Sequence, residues 1–152
     1  MRASPRRRAR EFVLQGLYQL QLSGNSPAAI RMQIMEATGF AKADTAYFDE
    51  LWAGVVAERP ALEAAFGPHL DRGVEALSPI ERAILVIGAW ELAHRPEIPY
   101  RVAINEAVEL GKSYGGIDGH KFVNGVLDRL AADLRAAEIG ALAAERNAGA
   151  AG

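Results

Sequence analysis

Ser78-Pro79-Ile80-Glu81-Arg82-Ala83-Ile84-Leu85-Val86-Ile87-Gly88-Ala89-Trp90 reads first as a helix start and then as a buried helix. Serine suits the N-cap, proline the first helical position, and a glutamate three residues after the serine completes the spacing of a capping box. Ile80, Ile84, Ile87 and Trp90 share one face, while Leu85, Val86 and Ala89 cover the others. A helix apolar on all sides must lie at the centre of a protein whose other helices cover it. Pro96 and Pro99 close the segment.

Outward from this centre the 3.6-residue period continues in both directions. Downstream, Pro99 opens a helix with Val102, Ile104, Ala107, Val108 and Leu110, which the glycines of Tyr114-Gly115-Gly116 should stop. Asp118 is placed to cap a last amphipathic helix carrying Phe122, Val123, Val126, Leu127, Leu130 and Leu134. Upstream, Val13, Leu14, Leu17 and Leu20 mark a first helix, and Pro27, Ile30, Ile34 and Met35 a short second one ending near Gly39. Asp44 begins a third, with Phe48, Leu51, Trp52, Val55 and Val56 inward and Pro60 as its terminator. Residues 61–76 read as one or two short helices around Gly67-Pro68 and Gly73. No alternating strand pattern or internal repeat occurs, so the expected fold is all-α, a single domain of about seven helices over residues 1–135. Residues 136–152, rich in Ala and Gly, read as a fraying helix followed by disorder.

Composition agrees. The 152 residues are 50% hydrophobic, enough for one well-filled core, and 29 alanines favour closely approaching helices. There is no cysteine, which removes disulfides, thiolate metal sites and a cysteine nucleophile together. His69, His94 and His120 lie far apart and in no ligand spacing. Asp118 with His120 is best explained as a helix cap and an exposed side chain. Gly115-Gly116 follows a helix and not a strand, which rules out a nucleotide phosphate loop. No catalytic residue, metal or cofactor is expected. The longest apolar run, residues 83–90, is far short of the roughly 20 residues of a membrane span, and a cytoplasmic protein with no membrane partner is expected.

The charges are unevenly placed. Five arginines (Arg2, Arg6, Arg7, Arg8 and Arg10) fall in the first ten residues, ahead of the first acidic residue, Glu11. The chain as a whole is at −2, so the remainder is acidic. Arginine in the first turn of a helix opposes the macrodipole at about 0.3–1 kcal/mol each. A bound phosphate relieves that conflict, because guanidinium groups and free helix-start N–H groups both favour an anion. The cluster therefore points to a nucleic acid.

Several blocks carry a resemblance. Arg6-Arg7-Arg8-Ala9-Arg10-Glu11 with Gln15 and Leu17-Tyr18-Gln19, then Tyr47-Phe48 and Ala53-Gly54-Val55, resemble the opening of the NusB family of bacterial transcription antitermination factors. Ile80-Glu81-Arg82-Ala83-Ile84-Leu85, Ile87, Glu91-Leu92, Pro99 through Ala107, Glu109-Leu110, Lys112-Ser113 and His120 through Asp128 resemble its later signature blocks. Together they span residues 6–134 in order. Val86 stands where a basic residue is common, Trp90 where tyrosine is common, and the tail beyond Ala136 matches no family pattern.

The resemblance implies two packed helical subdomains and an RNA-binding antitermination factor. Such a factor binds boxA-type single-stranded leader RNA, notably of ribosomal RNA operons, together with the small-subunit ribosomal protein that acts as NusE. It joins elongating RNA polymerase and other Nus factors. By position it implies RNA contacts at Arg6, Arg7, Arg8, Arg10, Asp118, Lys121 and Phe122, and contacts to the ribosomal protein at Tyr18 and Glu81. Two rival expectations are a front domain of a ribosomal RNA cytosine methyltransferase and a helical protein-interaction scaffold. The absence of cysteine and of a cofactor domain weighs against the first.

Overall fold

The computed structural model describes residues 4–151; Arg2 of the basic cluster and Gly152 fall outside. Seven α-helices follow one another: α1 (Pro5–Leu22), α2 (Pro27–Met35), α3 (Thr45–Phe66), α4 (Pro79–His94), α5 (Tyr100–Tyr114), α6 (Gly119–Leu134) and α7 (Ala136–Ala151). Single 3₁₀ turns lie at Phe40–Lys42, Gly67–His69 and Val74–Ala76, and no strand occurs among the described residues. The fold is all-α, as expected.

α4 is the central helix. Every residue from Ala83 to Leu92 is buried, and α1, α3, α5 and α6 pack around it. One continuous core runs from Val13 and Leu17 of α1, through Phe48 and Leu51 of α3 and Leu85 and Ile87 of α4, to Leu127 and Leu130 of α6. Each such side chain contributes about 1.5–3 kcal/mol on burial. Close approach depends on missing side chains at two points. A Cβ on Gly54 would stand 2.5 Å from Cε2 of Trp90, and one on Gly16 would stand 2.5 Å from Cζ3 of Trp52.

One helix end lies elsewhere than expected, and two others fall as expected but are made differently. Pro60 does not terminate α3; the helix continues to Phe66. An internal proline costs about 3 kcal/mol, and the next turns offset this by burying Leu62 and Phe66 and pairing Glu63 with Arg59 and Arg82. Asp118 does not cap α6 with its side chain. Its backbone is left-handed (φ 66°), which turns the carboxylate away from the free N–H groups and toward Lys121, 3.3 Å away. Gly115 ends α5 with extended backbone and not a left-handed turn. A Cβ there would stand 2.7 Å from the Gly111 carbonyl oxygen.

The Ala/Gly-rich segment is helical to Ala151, and two residues tie its start to the core. Buried Arg135 donates to the carbonyls of Leu92 (2.7 Å), Ile98 (3.0 Å), Glu91 (3.2 Å) and Arg95 (2.9 Å), satisfying the end of α4. Glu138 accepts from the Tyr100 N–H at 2.9 Å. It thus caps α5, where Pro99 has no side chain to do so.

Candidate nucleic-acid interface

α1 begins at Ser4, whose hydroxyl accepts from the Arg7 N–H at 3.1 Å, with Pro5 in its first turn. Ala9, Arg10, Val13, Leu14 and Leu17 take the inward face. Arg10 is therefore carried inside, where only 4% of it is exposed. Its Nε lies 3.1 and 2.9 Å from the two carboxylate oxygens of Glu91, and its Nη1 lies 3.6 Å from Glu106. The Tyr47 hydroxyl donates to Glu91 as well. Burial, then the charge of Glu91, push the Tyr47 pKa far above its ordinary value, so the phenol stays protonated. Arg10, which the resemblance places among the RNA contacts, is thus held inside the fold. Its guanidinium is enclosed by interior partners and does not face solvent.

The other three arginines remain at the surface to different degrees. Arg7 pairs bidentately with Glu106, at 2.9 and 3.0 Å, with 37% of its side chain exposed. That hydrogen bonding raises its pKa further. Arg6 lies over the Tyr47 ring, 4.2 Å from the centroid, and only grazes Asp44 at 3.9 Å. Arg8 has no ion-pair partner among the described residues and lines a groove with Gln15, Tyr18, Ile80 and Tyr114.

That groove, about 220 Å³, joins α1 to the start of α4 and the end of α5. Tyr18 forms part of its wall with 40% of its surface exposed. Tyr114 donates to Glu11 at 2.5 Å. This bond, with burial, pushes the Tyr114 pKa up to about 12, so the hydroxyl remains a donor at physiological pH. Glu81 lies at the adjoining helix start: its N–H donates to the Ser78 hydroxyl (3.1 Å), and that hydroxyl donates to the Glu81 carboxylate (3.2 Å). Its Oε1 rests 3.1 Å from where a Cβ on Gly119 would be. Of the residues expected to meet a protein partner, Tyr18 thus shares a groove with Arg8, and Glu81 stands beside the α6 start.

At the α6 start, Asp118 and Lys121 are exposed. Phe122 is half-buried against the core, with the Arg72 guanidinium 5.4 Å from its ring centroid. Among these residues, sequence reasoning missed Arg72, Ile80, Tyr114 and the interior acids Glu91 and Glu106. Their positions depend on contacts between distant parts of the chain. Only the Arg7, Arg10 surplus of buried or half-buried charge could have signalled that acidic partners were required.

Fold and face together define an all-helical protein with a cationic helix start, a second exposed helix start and an apolar groove between them. The family model for the NusB family matches residues 7–132, and the chain belongs to that family. Among its relatives, the transcription antitermination protein NusB of Ralstonia pickettii (strain 12J) is 55% identical over 138 residues, covering 91% of this chain and 89% of the relative. That of Azoarcus sp. (strain BH72) is 54% identical over 145 residues, covering 95% and 94%. NusB from T. maritima superposes with a TM-score of 0.74 at 27% identity, covering 86% of this chain and 92% of that one. Antitermination factors NusB and NusE in complex with dsRNA match with a TM-score of 0.73 at 26% identity, covering 82% and 94%.

Proposed function

We propose that this protein is an RNA-binding transcription antitermination factor that binds boxA-type leader RNA together with the ribosomal protein NusE. In this role it supports transcription of ribosomal RNA operons and joins the RNA polymerase elongation complex with other Nus factors. The observation that carries the reading is the surface on which half-buried Arg8 lines the groove of Tyr18, next to Glu81 and the α6 start, with exposed Arg6 at the same helix start. The names of the family's relatives and the solved NusB–NusE–dsRNA assembly support it.

The chain's residues divide the work. Arg6 and Arg8, with the exposed edge of Arg7, hold phosphates beside the positive end of α1. Arg10 positions that helix through Glu91 and Glu106 without touching RNA. Lys121 adds a charge at the second helix start, where Asp118 trims the local field. Phe122 offers an aromatic edge for a base. Tyr18 and Glu81 meet the ribosomal protein, Glu81 by accepting a basic partner residue.

Titration with boxA-like and scrambled RNA at two salt concentrations, with and without NusE, tests this. Preference for the boxA-like RNA that strengthens with NusE is expected. Equal binding of both RNAs in the presence of NusE overturns it.

A further inference from the structure

Away from this face, four polar side chains share a groove between α5 and α6. Arg101 and Asn105 come from α5, and Asn124 and Asp128 from α6; Tyr100, Ile104 and Val108 complete a hollow of about 400 Å³. All four polar residues are exposed, and none forms a side-chain hydrogen bond or ion pair among the described residues. Arg101 lies 5.4 Å from the Tyr100 ring centroid, and it does not reach Asp128 across the hollow. Two amides, a guanidinium and a carboxylate, none of them paired, give this concave site donors and acceptors on both walls. Nothing in the fold uses them.

The helical spacing of these residues shows where the groove leads. Lys121, Asn124 and Asp128 recur on one side of α6, and Arg101, Asn105, Val108 and Lys112 on one side of α5. Both lysines belong to the end where the two helices meet, with a Cβ on Gly111 only 2.9 Å from the His120 Cα. A strand held by Lys121 would enter the groove directly, and from Lys121 to Asp128 the rise of α6 is about 10 Å.

We propose that this groove takes the bases of single-stranded RNA flanking the element held at the α1 and α6 starts. This rests on the reading of Lys121 as an RNA contact. Each asparagine amide presents a donor and an acceptor to a base edge, and Asp128 accepts from an exocyclic amino group. Arg101 closes on a phosphate at the far end. The Asp128 carboxylate repels the backbone, so it is the bases that turn toward α6, and bases bearing amino groups are favoured over uracil.

The test compares wild type with the Asn105→Ala/Asn124→Ala double variant, binding a boxA-like RNA alone and the same RNA extended by a few adenosines or uridines at either end. Wild type should gain roughly tenfold from one adenosine extension and less from uridine. The double variant should lose that gain while binding the unextended RNA as wild type does. Both sites are exposed, and an unchanged melting temperature confirms that the variant is folded. If wild type binds the unextended RNA but gains nothing from either extension, the groove is not an RNA track. If the double variant instead weakens only NusE binding, the groove serves a protein and the proposal falls. Failure of wild type to bind the unextended RNA at all would remove the RNA-binding function itself, and this inference with it.

Discussion

Arg10 and Arg8 are two residues apart and have opposite environments. The period that buries Val13 and Leu17 also carries Arg10 inward to Glu91, while Arg8 faces the groove. Removing one partner of a buried ion pair leaves the other charge uncompensated, at about 3–5 kcal/mol. Arg10→Ala should therefore unfold at a markedly lower denaturant concentration, while its folded fraction keeps the wild-type salt dependence of RNA binding. A wild-type denaturation midpoint would contradict the interior role. Glycine packing makes a second residue-level prediction. The Trp90 ring occupies the space a Cβ on Gly54 would need, so Gly54→Ala should cost about 1–3 kcal/mol, measurable by urea denaturation. An unchanged midpoint would show that the ring can move aside. The arginine cluster was legible as a positive helix start. The division of its members was not, because Glu91 and Glu106 lie 81 and 99 residues away from Arg10 and Arg7.

At the scale of elements, local rules located helices well and their ends less well. Ser78 does cap α4 as its spacing predicts, because both groups of that cap lie within one turn. Pro60 misled because the gain that carries α3 past it comes from the core, through Leu62 and Phe66. Asp118 misled because the cap depends on a backbone angle that residue type alone does not fix. The helical course of residues 136–151 was obscured by their composition, since its anchors, Arg135 and Glu138, act on carbonyl and N–H groups of α4 and α5. The continuation of α3 also gives a pH prediction. Burial pushes the Glu63 pKa up, but Arg82 and then Arg59 outweigh it and hold it below 4.5. A depressed folded-state pKa means stability that is present above the ordinary value and lost as pH falls through the folded one. The melting temperature should drop as pH falls below about 4.5, and Glu63→Gln should flatten that drop. Identical acid profiles for the two proteins would exclude Glu63 from it.

At the scale of the whole molecule, an acidic chain keeps its strongest positive charge at one helix start. This localises binding and limits contact with nucleic acid elsewhere. Tyr18 shares its groove with Arg8, whereas Glu81 lies at the α4 start, so Glu81 is the position at which the two proposed kinds of binding should be separable by mutation. Glu81→Lys puts like charges opposite a basic partner. It should weaken the complex with NusE by more than the small stability loss that the broken capping box and a cation in the first turn of α4 bring. Wild-type affinity for NusE in this variant would remove Glu81 from the interface.

Whether an RNA backbone is held at the start of α1 by the arginines left outside the core is read from the salt dependence of RNA binding in Arg6→Ala/Arg8→Ala. Weaker binding to every RNA sequence is expected, with a log–log slope flatter by roughly 0.7 for each lost single-strand contact. A slope equal to that of wild type would contradict it.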